Sequence, residues 1–214
     1  MTKSQHLDII RLYAKETGAS IHLRAIARQT GLNVNSASRF LSQLERQGVL
    51  RSEREGSLKK YSLRPGDRTF LLLTTLDLER LESLPGIRRK AIQQYLASLS
   101  EQPLITFLFG STAKGTFRKD SDIDLLLVVN RRVRTEAAEN KAEAQTGLRV
   151  NALQVTFPEF LEELRLRKDK VLQAALEHGY PLTNHMGFHR VHMRATAGET
   201  DAGPLLSEPE ASLI

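Results

Sequence analysis

Apolar residues recur at helical spacing in three successive stretches at the start of the chain. Ser4–Thr17 places Leu7, Ile10, Tyr13 and Ala14 on one face and stops at Gly18. His22–Thr30 repeats the pattern with Leu23, Ile26 and Ala27 and ends at Gly31. A third predicted helix starts near Asn33 as its N-cap, buries Ala37, Phe40 or Leu41, and Leu44, and stops at Gly48. The period then shortens. Val49–Arg54 and Lys59–Leu63 read as two strands around a hairpin turn at Glu55-Gly56-Ser57. Arg64-Pro65-Gly66-Asp67 can continue neither strand and marks a domain boundary.

Beyond it, Thr69–Leu84 and Gly86–Ser100 read as two amphipathic helices bridging the halves. Leu104–Phe109 and Ile123–Val129 are near-continuous apolar runs, as buried strands require. Val133–Thr146 is a polar helix closed by Gly147, Arg149–Thr156 alternates like a strand, and Pro158–Arg167 and Lys170–His178 are helices. From Thr183 the helical period fails and Gly, Pro, Ser and Thr accumulate, which predicts a mobile tail. No internal repeat interrupts this order. The expected organisation is α+β, with a module of three helices and a hairpin at 1–66, a helical connector at 67–100, a mixed sheet flanked by helices at 101–182 and a tail at 183–214.

Composition changes this picture in one respect. The chain carries a net charge of +6, but residues 1–66 hold 12 Lys/Arg against 5 Asp/Glu, while the remainder holds 19 against 20. All of the basic excess sits in the first module, so a polyanion is expected to bind there. The absence of cysteine excludes disulfides and thiolate metal sites and fits a reducing, cytoplasmic setting. No apolar run approaches the roughly 20 residues a membrane span needs, and Met1–Lys15 has no signal-peptide core.

Helix, helix-turn-helix, then a two-stranded wing is the order from Ser4 to Leu63, within which residues 22–63 read HLRAIARQTGLNVNSASRFLSQLERQGVLRSEREGSLKKYSL. This segment resembles winged-helix transcriptional regulators of the ArsR and MarR kind. A helix entering a major groove about 12 Å wide must carry short polar side chains at its front. Val34, Asn35, Ser36, Ser38 and Arg39 supply that face. Arg39 is placed to contact guanine or phosphate, and Asn35 to read adenine or to cap the helix. Arg54, Lys59 and Lys60 on the wing would reach the minor groove or phosphates. Double-stranded DNA is thus the expected partner, and a homodimer would address a palindromic site.

The second candidate is acidic. Phe107-Leu108-Phe109-Gly110-Ser111 leads out of a buried strand, and ten residues later Asp122-Ile123-Asp124 opens another. Residues two apart on a strand face the same side, so the two carboxylates are presented together. Hard oxygen ligands at one point suit Mg²⁺, or Mn²⁺, with substrate phosphates and water completing the shell. The unit GSTAKGTFRKDSDIDLLLVV resembles the minimal nucleotidyltransferases of the polymerase-beta-like superfamily over roughly residues 100–182. The resemblance implies a nucleoside triphosphate ligand, most naturally ATP. Gly110 would let the backbone approach the phosphates, and Ser111, Lys114 and Ser121 would contact the nucleotide, with a short helix after Thr112 aimed at the same anion.

The pattern departs from that superfamily where a third carboxylate is usual. The matching strand, Leu148–Leu153, carries Asn151, whose amide can ligate a metal but cannot act as a general base. Glu159 and Glu162 are the alternatives if the fold brings them near. Two functions stay open on these residues: a transferase passing a nucleotidyl group to a protein or RNA acceptor, and a nucleotide sensor biasing DNA affinity. Relatives of this kind are often paired with HEPN-domain toxins, so an autoregulatory antitoxin acting on a separate HEPN protein combines the two. His185, His189 and His192 lie in the expected tail without an evident partner carboxylate and are read as having no role.

Overall fold

The computed structural model describes residues 2–56 and 58–196. The first half is built as the helical and strand periods direct. α1 (Thr2–Arg11), α2 (Leu23–Thr30) and α3 (Val34–Arg46) pack around Ile9, Ile10, Tyr13, Ile26, Phe40, Leu41 and Leu44. Phe40 and Leu41 are both buried, so neither alternative excludes the other. Asn33 caps α3 as expected: its side chain accepts from the Ser36 amide at 2.8 Å. Gly31 closes α2 with φ +68°, a left-handed turn that a side chain would strain.

The wing is the hairpin of β2 (Leu50–Glu55) and β3 (Leu58–Leu63), and Ser57 of its expected turn lies outside the described residues. A short strand not expected from the sequence, β1 (Ser20–His22), adds to β3 and makes the order β1-β3-β2. Its three residues offered too little alternation to register. The Tyr13 hydroxyl donates to the Tyr61 carbonyl at 2.9 Å and ties α1 to this sheet.

The two bridging helices divide between the halves. α4 (Asp67–Glu82) gives Phe70, Leu73 and Leu76 to the N-terminal core. α5 (Gly86–Ala97) gives Ala91, Ile92 and Tyr95 to a second core, beneath the other sheet.

That sheet contains β4 (Ile105–Phe109), β5 (Ile123–Val129), β6 (Val150–Thr156) and β7 (Tyr180–Pro181) in the order β6-β5-β4-β7. β5 runs antiparallel to β4 and parallel to β6, which makes the sheet mixed. Between these strands lie α6 (Gly110–Lys114), α7 (Glu136–Thr146), α8 (Phe157–Leu166) and α9 (Lys170–His178). Ile123, Leu125, Leu127 and Val129 face α5 and α7, while Leu126 and Val128 face the cluster holding Phe160, Leu164 and Leu172. Both faces are covered, which is why β5 is apolar throughout.

The stretch from Thr183 is corrected by the structure as far as it is described. Its residues His185–Thr196 form α10, with Phe188, His189, Val191 and Met193 buried. The apolar period was hidden because a histidine occupies a core position. The His189 Nε2 lies 2.7 Å from Asp77 Oδ2 on α4, and His185 Nδ1 is 3.4 Å from the same oxygen. His185 and His189 therefore do have a partner carboxylate, 112 residues away in sequence from His189, while His192 lies 3.4 Å from the Thr17 hydroxyl. Residues 197–214 of the expected tail lie outside the described residues. Among those described, no helix is long and apolar enough to cross a membrane.

Candidate functional site

The acidic site is assembled on one rung of the sheet. Phe109 pairs with Asp124, and Asp124 with Asn151, so β4, β5 and β6 deliver three neighbouring positions side by side. Gly110 follows directly on Phe109 at φ +68°. A Cβ there would fall inside contact distance of Asp124 Oδ2 and only 2.9 Å from its Cγ. Glycine is therefore required twice, by the backbone and by the carboxylate lying against it. The short helix begins at Gly110 itself, before Thr112 and not after it as expected, and ends at the left-handed Gly115.

Asp122 immediately precedes β5, and the Asn151 Nδ2 donates to its Oδ2 at 3.1 Å. Burial raises the Asp124 carboxyl above the ordinary aspartate range. The Asn151 amide opposes that shift, and the like charge of Asp122 adds to it. Two close carboxylates, one of them half-buried, form a donor set that a divalent cation would relieve. Among the described residues no cluster of three His, Cys, Asp or Glu side chains could hold a metal. Asp122 and Asp124 stand together with Asn151 beside them.

Arg88 was not singled out from the sequence, and it organises the loop between the glycine and the aspartates. It is only 2% exposed. Its guanidinium donates to Thr112 Oγ1 at 2.9 Å, to the Arg118 carbonyl at 2.8 Å and to the Ser121 carbonyl at 2.9 Å. It also lies 4.1 Å from the centroid of the Phe117 ring. Thr112 passes the connection on by donating to the Asp122 carbonyl at 3.3 Å. Burial lowers the Arg88 pKa, and the charge of Asp122 pushes back. A signal existed: Arg88, Ala91, Ile92 and Tyr95 share a helical face, and an arginine on an apolar stripe needs internal acceptors.

The other expected contacts fall as follows. Ser111 is half-buried at the start of α6, and Lys114 is exposed at its end. The Ser121 hydroxyl accepts from the Arg118 amide at 2.8 Å, so this side chain shapes the loop. Glu159 is at the wrong end of the sheet. It follows Thr156, five residues along β6 from Asn151, or about 16 Å at strand rise. There it closes the capping box of α8 and pairs with Arg132 at 3.1 Å. Glu162 is exposed on the same helix, a turn further on. A cation the sequence did not flag, Arg149, pairs with Glu143 at 3.0 Å; Glu143 and then Asp122 hold its pKa up.

On the basic module, Val34, Asn35 and Arg39 are exposed on α3, and Ser36 and Ser38 are half-exposed. Asn33 does the capping, which leaves the Asn35 side chain to the surface. Arg54 is exposed near the wing tip. Lys59 is engaged by Glu45 at 3.0 Å and lies 4.9 Å from the Tyr61 ring centroid, while Lys60 pairs with Glu55. The strands of the wing thus present Arg51 and Arg54 exposed, with Lys59 and Lys60 held in ion pairs.

Comparison with known proteins follows this division. Residues 90–179 match the model of the nucleotidyltransferase domain, and residues 6–54 that of the IclR helix-turn-helix domain. No curated protein matches the chain. One similar solved structure is the homodimeric winged helix-turn-helix DNA-binding domain of a possible ArsR-family transcriptional regulator from Mycobacterium bovis. It is 28% identical over 36% of this chain and 67% of that one, with a TM-score of 0.30. Another is a toxin–antitoxin structure with AMP-PNP, 18% identical over 53% of this chain and 86% of that one, with a TM-score of 0.36. A third is the PcaV transcriptional regulator from Streptomyces coelicolor, 18% identical over 47% and 77%, with a TM-score of 0.31. Nucleotidyltransferase domains generally depend on a divalent metal. The chain joins an IclR-type helix-turn-helix DNA-binding domain to a nucleotidyltransferase domain.

Proposed function

We propose that this protein is a DNA-binding regulator whose second domain binds Mg²⁺–NTP at Asp122 and Asp124. The observation that carries this reading is the fit of Gly110 against Asp124, with Asn151 on the next strand of the same rung. Asp122 and Asp124 would hold the cation, Mg²⁺ or Mn²⁺, and Gly110 and Ser111 would face the phosphates. A cation held there supplies positive charge to the triphosphate. Arg88 keeps the intervening loop in place, while Lys114 and Arg149 add positive charge at the rim.

Nucleotidyl transfer asks for one thing more. The acceptor hydroxyl must give up its proton as it attacks the α-phosphorus and pyrophosphate leaves. Asn151 can hold an oxygen or donate an N–H, but it cannot take that proton. Glu159 and Glu162 are too far along the sheet to replace it. The domain is therefore proposed to bind nucleotide tightly and to transfer it slowly, with nucleotide occupancy biasing DNA affinity. A protein acceptor such as a HEPN-domain partner, and a homodimer on a palindromic site, fit this reading without being required by it.

The experiment is transfer of label from α-labelled NTP by wild type and Asn151→Asp, with the chain itself, a HEPN-domain protein and tRNA as acceptors. The variant restores a carboxylate at almost unchanged volume and is expected to raise transfer by about 10²–10⁴-fold. Rapid wild-type transfer that the variant leaves unchanged would put the proton acceptor elsewhere.

A further inference from the structure

α4 has two opposite faces. Phe70, Leu73 and Leu76 enter the N-terminal core, and the buried Asp77 is held by α10. On the other side Arg68, Leu71, Thr75, Leu78 and Glu82 follow one another at alternating steps of three and four residues, and all of them are exposed. Leu71, at 53%, is the most exposed large apolar side chain among the described residues, and Leu78 stands at 42% on the same stripe. Single exposed leucines are ordinary on any surface. Two of them seven residues apart on one face have the spacing of a seam between helices.

The groups around this stripe fit a copy of itself. Thr75, between the leucines, spends its hydroxyl on the Leu71 carbonyl at 2.9 Å and asks nothing polar of a partner. Arg68 and Glu82 lie seven residues to either side of Thr75, about 10.5 Å each way at helical rise. Arg68 reaches only the Gln47 carbonyl at 3.4 Å, and neither it nor Glu82 has an ion-pair partner among the described residues. The neighbouring charges are already matched within the chain, Glu79 by Arg11 of α1 and Asp67 by Arg190 of α10. The stripe thus carries one unmatched cation and one unmatched anion at equal distances from its middle.

We infer that this face is the contact between two copies of the chain, with the α4 helices antiparallel and a two-fold axis beside Thr75. Reversal about Thr75 sets Arg68 of one copy beside Glu82 of the other, twice over, and brings Leu71 to Leu78. An acidic or a basic partner would answer one end of the stripe and leave the other charge unmet. A second copy answers both. Because the inner face of α4 belongs to the N-terminal core, the axis joins the two DNA-binding halves and sets the spacing of paired half-sites. The contact needs neither nucleotide nor DNA, so it stands or falls apart from the function proposed above.

The test is sedimentation equilibrium of the full chain in EDTA, without DNA or nucleotide. A dimer is expected. Leu71→Asp and Leu78→Asp each put a charge into the seam and should raise the dissociation constant at least about tenfold. Both positions are exposed, so the far-ultraviolet circular dichroism should not change. Arg68→Glu sets like charges together and should also weaken the dimer, and adding Glu82→Arg should restore it, which a role for Arg68 within its own chain would not explain. The chain has no cysteine, so Thr75→Cys should oxidise to a disulfide-linked dimer across the axis, whereas Lys141→Cys on the exposed side of α7 should not. A monomeric wild type, a dimer that both leucine substitutions leave unchanged, or a charge-reversed pair that stays apart overturns the inference.

Discussion

Replacing Gly110 by alanine tests the link between backbone geometry and the carboxylate site. The φ of +68° costs a residue with a Cβ about 1–2 kcal/mol. For a chain of this size that lowers the melting temperature by roughly 2–8 °C. A second effect falls on the site alone. The added Cβ would sit 2.9 Å from Asp124 Cγ, and carbons settle at about 3.5–4.0 Å, so the carboxylate must retreat by roughly 0.6–1.1 Å. A metal ligand displaced that far no longer shares an ion with Asp122, and affinity for Mg²⁺–NTP should fall at least about tenfold. Gly115→Ala is the control, because Gly115 has φ +71° and nothing within 4 Å of its Cβ position. Both variants should melt early, and Gly110→Ala alone should lose nucleotide in calorimetry. Equal losses in the two, or none in either, would refute the claim that Gly110 is there to make room for Asp124.

Two more outcomes follow from the geometry. Burial raises the folded-state pKa of Asp124, so the fold takes up its proton more readily than the unfolded chain does. That contribution to stability grows as pH falls and is lost as pH rises through the folded value. In EDTA, Asp124→Asn should therefore melt at or above wild type at pH 7, with the advantage shrinking toward about pH 4; a variant less stable throughout would contradict this. On the wing, Arg54→Ala should flatten the slope of log affinity for duplex DNA against log salt by about one phosphate contact, near 0.9. Lys59→Ala should do less, since Glu45 already holds that ammonium; fluorescence anisotropy between low and moderate salt would show the reverse order if the ion pair breaks on binding.

What the sequence could reveal was whatever is encoded at short range. The Asn33 cap, the Gly-Ser to Asp-x-Asp spacing and the helical stripes of α2 and α3 depend on neighbours within a few residues. Asn151 was placed because β6 alternates cleanly, and the register sets it beside Asp124. Asp77 and His189 stayed hidden because each is an ordinary polar residue until a helix from the far end of the chain packs on α4. The same holds for Arg88, whose acceptors come from the loop after α6. Glu159 shows the limit from the other side: sequence proximity to β6 suggested a role at the site, and strand length alone removes it.

The central claim is that Asp122 and Asp124 bind nucleotide through a divalent cation. Calorimetric titration of the full chain with ATP, in Mg²⁺ and again in EDTA, tests it most directly when repeated on Asp122→Asn. The account predicts strong binding only for wild type in Mg²⁺, with chelator and substitution each removing it while the melting temperature stays near wild type. Equal ATP affinity in EDTA, or in the variant, would contradict it.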